Sequence, residues 1–427
     1  MSSKHFINDP THLVIAALQS VTLTNPNVAL DVRNKIIYRR PSQAPPQVSI
    51  ISGGGSGHEP SFAGMVGPGL LSAAVAGTIF ASPSAEQVRQ AITGRVDPKQ
   101  GVLVVVMNYT GDVLNFGVAV EKAKAADLPV EMVIVGDDVG VGREKAGKVG
   151  RRGIAGTVLV LKIVGALAAL GRPLTEVAEM ARLTASNIVS VGASLERVHV
   201  PGRVRDLEGK MGHEEIEIGM GIHNEAGSGR GKMDLPELVT TMLSQLLDGT
   251  DSDRAFLAVT SKDVVLLVNN LGGLSVLELG GITNEIVSQL SSTHHVNPVR
   301  VISGTFMTSL NGLGFSISLL NVVPTSVGIG MLDLLDAPSE VCGWAAPIRK
   351  ETWEAKNHAT MEGNDEKRQG FKPSGLKFEP EQATAALTAA LKKVVAAEPE
   401  ITEYDTMVGD GDCGIGLKRG AEGKDTT

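Results

Sequence analysis

The stretch Ser52-Gly53-Gly54-Gly55-Ser56-Gly57-His58-Glu59-Pro60, entered from the run Gln47-Val48-Ser49-Ile50-Ile51, constrains the fold more than any other part of the chain. A β-branched run that ends in glycines reads as a buried strand opening into a loop. With no Cβ in the way, backbone N–H groups can close on a ligand there. His58 stands where the glycines stop, so an imidazole faces bare backbone and a small polar ligand is the expected occupant. The plainer alternative is a glycine-rich turn beside a surface histidine. Known phosphate and nucleophile motifs do not fit. A G-x-G-x-x-G frame needs glycine at His58, no G-x-x-x-x-G-K-[ST] loop occurs, and a G-x-S-x-G frame on Ser56 again meets His58.

Strand, polar loop and helix then recur. An apolar run covers 70–76, and a helix over 86–92 follows the start signal Ser82-Pro83-Ser84. Residues 102–107 form a continuous apolar run, as expected of a strand covered on both faces. That run leads through Asn108-Tyr109-Thr110-Gly111-Asp112 to a helix over 116–126, and a strand over 130–135 closes on Gly136-Asp137-Asp138. Ligands in such sheets bind where strands end, which puts loops 52–60 and 108–112 on one rim. From about 186 a second α/β unit with its own core is expected. Its strand over 215–218 runs into the glycine-flanked segment that holds His223, followed by a helix over 235–247, strands over 264–268, 299–302 and 315–320, and a closing helix over 329–335.

A chain of 427 residues with 50 glycines and 3% aromatics has room for two or three α/β domains with aliphatic cores. Its net charge of −8 argues against a nucleic-acid partner. Two cysteines, Cys342 and Cys413, argue for a reducing compartment, and no apolar leader or membrane span is visible, so the expected location is the cytoplasm. Hydrophobic periodicity is lost from about 350 to 375, which reads as a flexible linker. Beyond it Ala383, Leu387, Ala390, Leu391, Val394 and Val395 share one helical face. That face opens a further domain, and the chain reads as cut short.

Three constellations could carry chemistry. Asp112 follows a buried strand, where a carboxylate is either a helix cap or turn former, or a general base. His58 and His223 each sit in a glycine loop after a strand, one in each α/β unit. Asp405, Asp410 and Asp412, interleaved with glycines, can converge on a hard cation such as Mg²⁺, the alternative being an acidic turn. A helix beginning near Gly414 would turn its N-terminus toward a phosphate.

Taken together, the Ser52–Pro60 and Asn108–Asp112 segments, Arg151-Arg152-Gly153-Ile154-Ala155-Gly156-Thr157, Gly221-Ile222-His223 and Val268-Asn269-Asn270-Leu271-Gly272-Gly273 resemble the substrate-binding DhaK domain of ATP-dependent dihydroxyacetone kinases. Gly409-Asp410-Gly411-Asp412-Cys413-Gly414 resembles the magnesium loop that opens their nucleotide-binding DhaL domain. The resemblance implies DhaK subdomains over 1–185 and 186–347, a linker over 348–377 and the start of an all-α DhaL domain over 378–427. It also implies a homodimer that phosphorylates dihydroxyacetone, or another short-chain ketose or aldose such as glyceraldehyde, from ATP and Mg²⁺. His223 would hold the ketone as a covalent hemiaminal, Asp112 would accept the proton of the attacking hydroxyl, and His58 would assist. Gly55, Ser56, Gly57, His58, Met107 and Asp112 would line the substrate site. Asp412, Cys413, Gly414 and Ile415 would meet the nucleotide, and Asp405, Asp410 and Asp412 the magnesium ions.

Two departures stand out. Met107 occupies a position where many relatives carry lysine, and only the opening of DhaL is present. The expectation is therefore a chain that binds dihydroxyacetone but phosphorylates it poorly without a DhaL partner in trans. The rival is a non-catalytic ketose-binding or sensor protein.

Overall fold

A computed structural model describes residues 5–42, 45–203, 211–212, 214–344, 348–355, 375 and 377–423. The chain forms two compact units, 1–356 and 357–427. Most of the span expected as a linker, residues 356–374 and 376, lies outside the described residues.

The first unit contains two six-stranded sheets. Strands β1 (Val28–Asp31), β2 (Ile36–Arg39), β3 (Ser49–Ser56), β4 (Ala73–Ile79), β5 (Val102–Met107) and β6 (Val130–Val135) form one sheet in the order β1-β2-β4-β3-β5-β6. Its β4-β3-β5-β6 portion is parallel, and β1 and β2 add an antiparallel edge. The run over 102–107 is a strand with all six residues buried, as its sequence implies. Leu103, Val105 and Met107 pack into one core, while Val102, Val104 and Val106 meet the helices Ala85–Gly94 and Thr110–Lys124 on the other side.

Three of the four glycines of the opening motif, Gly53 to Gly55, are not in a loop but in the last part of β3, paired with β4 as Gly53 with Val75 and Gly54 with Ala76, and only Gly57 follows the strand. A Cβ on Gly53 would collide with the Val75 carbonyl, and one on Gly55 would stand 2.7 Å from the Ala81 amide. The missing side chains therefore admit neighbouring backbone, a demand that sequence alone cannot tell from the demand for a ligand cradle. Asp112 likewise lies in the first turn of the helix Thr110–Lys124 rather than in a free turn.

Strands β7 (Ile188–Ser194), β8 (Ile216–Ile218), β9 (Gly229–Gly231), β10 (Val264–Asn270), β11 (Arg300–Gly304) and β12 (Gly314–Asn321) form the second sheet in the order β11-β10-β12-β7-β8-β9. One face packs on the helices Leu235–Leu247 and Val276–Ser292. The other does not close a core of its own: Val265, Leu267 and Leu320 share a cluster with Leu103 and Val105 of the first sheet. The helix Thr157–Ala169 explains the sharing. Apart from Thr157 and Lys162, whose Nζ donates to the Leu334 carbonyl at 2.9 Å, it is apolar, and it is buried from Thr157 through Ala168, so it must be covered all round. Asp137 seats the start of that helix by accepting from the amides of Ile154 (2.8 Å) and Gly156 (3.0 Å). The amide of Ser190, at the start of the second sheet, donates to the Asp137 carbonyl at 2.8 Å.

The second unit contains the helix Pro380–Val408, a turn, and the helix Cys413–Glu422. Its apolar side chains are largely uncovered among the described residues, with Leu387 at 62% and Met407 at 69% exposure.

Candidate functional site

The segment after β11 draws two distant histidines together. Asn269, at the end of β10, accepts from the amides of Phe306 and Met307 (2.9 Å each) and so holds this segment against the second sheet. From there the Leu310 amide donates to the Gly57 carbonyl (2.7 Å), the Thr308 amide to the His58 carbonyl (3.2 Å), and Ser309 Oγ to the Ile222 carbonyl (2.6 Å).

Proton positions follow from this geometry. His58 is wholly buried, and its Nδ1 lies 2.8 Å from the Thr308 carbonyl oxygen, which can only accept. Nδ1 therefore carries the proton, and Nε2 is left as an acceptor, 2.9 Å from His223 Nε2. On the far side of His223, Glu225 accepts from the His223 amide through Oε2 and from ring Nδ1 through Oε1, both at 2.9 Å. Burial resists ionisation of Glu225, but the hydrogen bond and charge of His223 outweigh it and bring its pKa down to about 2. With an ionised carboxylate at one nitrogen and a lone pair at the other, His223 donates from both. Burial foremost, with His223 beside it, lowers the His58 pKa to about 3, so His58 stays neutral.

Aromatic rings fix the pair. His223 meets Tyr109, Phe80 and His58 edge-on, with centroids 4.7, 5.1 and 4.8 Å away, and Phe80 stacks on His58 at 5.3 Å. Asp112 is buried, and burial raises its pKa against the lowering effects of a Ser82 hydrogen bond and the nearby His223. Its Oδ2 lies 3.5 Å from where a Cβ on Gly54 would stand, in ordinary contact with the end of β3. Asp112 Oδ1 and the Tyr109 hydroxyl are buried without a hydrogen-bond partner among the described residues. Buried polar atoms left this way are costly, and a ligand hydroxyl would satisfy them.

The structure thus brings His58 and His223 into contact, with Asp112 close enough for His223 to act on its charge. The remaining residues expected to line the site serve the packing around it. Gly55 admits the backbone at Phe80–Ala81, Gly57 lies against the Phe80 ring, and Ser56 Oγ donates to the Gly77 carbonyl at 3.0 Å. Met107 is 1% exposed and lies in the core, where a Cβ on Gly153 would stand 2.8 Å from its own. Glu225, Tyr109 and Phe80 were not singled out from sequence. Only the spacing of Glu225, two residues beyond His223 in a glycine-flanked segment, could have pointed to one of them.

In the second unit the carboxylates of Asp405, Asp410 and Asp412 offer oxygens within 4.8 Å of one another. Asp405 Oδ2 accepts from the amides of Asp412 (2.9 Å) and Cys413 (3.0 Å), which folds the turn onto the helix end. The charge of Asp410 raises the Asp412 pKa. This donor set suits a hard divalent cation. Cys413 and Ile415 are exposed at the start of the following helix, whereas Gly414 is buried, because a Cβ there would collide with Thr402 and the Glu398 carbonyl.

Residues 19–342 match the model of the Dak1 domain family. The chain is 44% identical to a dihydroxyacetone kinase of Pichia angusta over 99% of its own length and 71% of that protein, and 36% identical to the human triokinase/FMN cyclase over 99% and 72%. Among solved structures it resembles the C. freundii dihydroxyacetone kinase in complex with AMP-PNP and Mg²⁺ (TM-score 0.74, 32% identity, 99% of this chain and 74% of that one). It also resembles the operon co-activator Dha-DhaQ (TM-score 0.68, 28% identity, 78% and 98%).

Proposed function

The chain belongs to the dihydroxyacetone kinase family, and from that premise we propose that it transfers the γ-phosphoryl group of ATP to dihydroxyacetone or a similar short-chain sugar held on His223. The observation that carries the reading is the 2.9 Å contact between His58 Nε2 and His223 Nε2, with Glu225 on the opposite edge of His223.

That arrangement supports a balanced bonding step. The Nε2 proton of His223 passes to His58 Nε2, which frees a lone pair to attack the keto carbon. The C–N bond forms as the carbonyl π bond breaks. His58 is too weak a base to keep its extra proton and hands it to the new alkoxide, which becomes the hemiaminal hydroxyl. The ring remains cationic, and the Glu225 carboxylate balances it. A polyol without a carbonyl gains none of this. Asp112, whose basicity burial increases, then takes the proton of the terminal hydroxyl as that oxygen attacks phosphorus. Asp405, Asp410 and Asp412 would hold Mg²⁺ against the ATP phosphates, and the ions would supply charge neutralisation at the transferring group. Cys413 to Ile415, at the adjoining helix start, would meet the nucleotide. The sensor reading is not favoured, because relatives matched over 99% of the chain are kinases.

The same reading includes a homodimer in the cytoplasm, to be checked by light scattering and cell fractionation. Among the described residues no helix is long and apolar enough to cross a membrane. The decisive experiment is native mass spectrometry of the whole chain with dihydroxyacetone. We expect one ketose added to the wild type and none to His223→Ala, with phosphorylation lost alongside. An adduct that survives in His223→Ala overturns the assignment.

A further inference from the structure

Behind Glu225 lies another buried charge. Arg152, from the Arg151–Thr157 motif, approaches Asp138 Oδ2 with Nε at 2.9 Å and Nη2 at 2.7 Å, and Nη2 also donates to the Gly219 carbonyl at 2.8 Å. The side chains of Asp138 and Arg152 are 1% and 13% exposed. The guanidinium is thus fixed from two sides, by a carboxylate that follows β6 and by a carbonyl at the end of β8. Its remaining nitrogen, Nη1, lies over Gly221. A Cβ on Gly221 would stand 2.5 Å from Nη1 and would collide with Glu225 Oε2. Glycine at 221 therefore leaves room for guanidinium and carboxylate to approach one point, just before the Ile222–His223 step, although among the described residues no hydrogen bond or ion pair joins Arg152 to Glu225. Burial works against the charge on Arg152, but Asp138, Tyr109 and Glu225 together hold its pKa up.

We propose that Arg152 is a positioning residue: through the attraction of its nearby charge it keeps the Glu225 carboxylate turned to Nδ1 of His223, which keeps the proton there and leaves Nε2 as the nitrogen that bonds a carbonyl carbon. The statement about the proton concerns the free protein, and only the last clause rests on the kinase reading. Glu225 is the acceptor that decides which nitrogen is deprotonated first. His58 takes a proton from Nε2, and the Thr308 carbonyl prevents it from offering one of its own. The other titratable groups near the ring are Tyr109 and Asp112, and neither hydrogen-bonds to a nitrogen of His223 in the structure. Without Arg152, Asp138 loses its ion-pair partner and Glu225 the nearest positive charge beside its Oε2 edge. The anion that holds Nδ1–H is then free to turn or take up a proton, and the ring can keep its last proton on Nε2, where it blocks attack.

The test uses ¹⁵N-histidine NMR of the whole chain, with His223 assigned by its absence in His223→Gln. Once singly protonated, wild-type His223 is expected to carry its proton on Nδ1. In Arg152→Met most molecules should carry it on Nε2, and adduct formation with dihydroxyacetone should slow about tenfold. Arg152→Lys keeps a charge but not the fork, and should fall between the two. Because Arg152→Met strands a buried Asp138, the double variant Arg152→Met/Asp138→Asn removes both charges together. It should unfold thermally near the wild type and still show the Nε2 proton. Nδ1 protonation unchanged in the folded double variant, or in Arg152→Lys should neither Met chain fold, overturns the proposal. A wild type that forms no adduct while the proton still moves in the variants overturns the hemiaminal reading and leaves the role of Arg152 standing.

Discussion

His58 is wholly buried with a partner at each ring nitrogen, whereas Asp410 and Asp412 of the second unit are exposed, crowded by one another and by Asp405. The difference teaches how each can act. Around the imidazoles, packing and main-chain hydrogen bonds settle every proton before a ligand arrives, so that region is preorganised in the sense that favours bond-making. The carboxylates are gathered at the surface by one turn, so a cation bound there would complete their geometry.

The widest separation between the two should come from Asp112→Asn. It retains shape and loses the proton acceptor, so kcat is expected to fall about 10²–10⁴-fold while the ketose adduct still forms. If the adduct vanishes as well, Asp112 belongs to binding rather than to transfer. Next comes Asp410→Asn, which should raise the Mg²⁺ concentration for half-maximal activity about tenfold and leave the adduct unaffected. A Mg²⁺ titration matching the wild type would remove Asp410 from the cation site.

The smallest effect concerns stability against pH. His58 is neutral when folded down to about pH 3 but takes a proton near 6.5 when unfolded, so the unfolded state binds more protons in between. Stability is therefore full above 6.5 and is lost as pH falls, at up to about 1.4 kcal/mol per pH unit. Asp138, raised to about 6 chiefly by burial against the pull of Arg152, works the other way and loses its contribution as pH rises through that value. It is common to both chains, so between pH 6.5 and 5 the wild type should lose ground relative to His58→Gln, which keeps one donor and one acceptor. Parallel denaturant midpoints across that range would show that His58 is not held neutral.

Much of the scaffold was legible. The strand Val102–Met107 and the helix Leu235–Leu247 declare themselves, the first by an unbroken apolar run and the second by period and a capping start, with Asp234 and Glu237 forming a reciprocal box. The buried helix Thr157–Ala169 was not legible because, past Thr157, Lys162 is its single polar side chain, which leaves no period to read. The glycines of β3 misled because glycine signals a loop by its own freedom, whereas here Val75 and Ala81 require its absence of side chain. Within the site, His58 and His223 stood out because histidine is rare and both follow glycines. Glu225 did not, because its value depends on a chain reversal that turns it back onto the ring two residues earlier.

The bonds from Leu310 and Thr308 to Gly57 and His58, and from Ser309 to Ile222, have a kinetic corollary. Both imidazole-bearing segments are tied to one short stretch of chain, so parting them would break these bonds. Of the two rings only His223 shows an edge, at 19% exposure, to the outside. A solute arriving from outside therefore meets His223 first, and the fully covered His58 only from behind that ring.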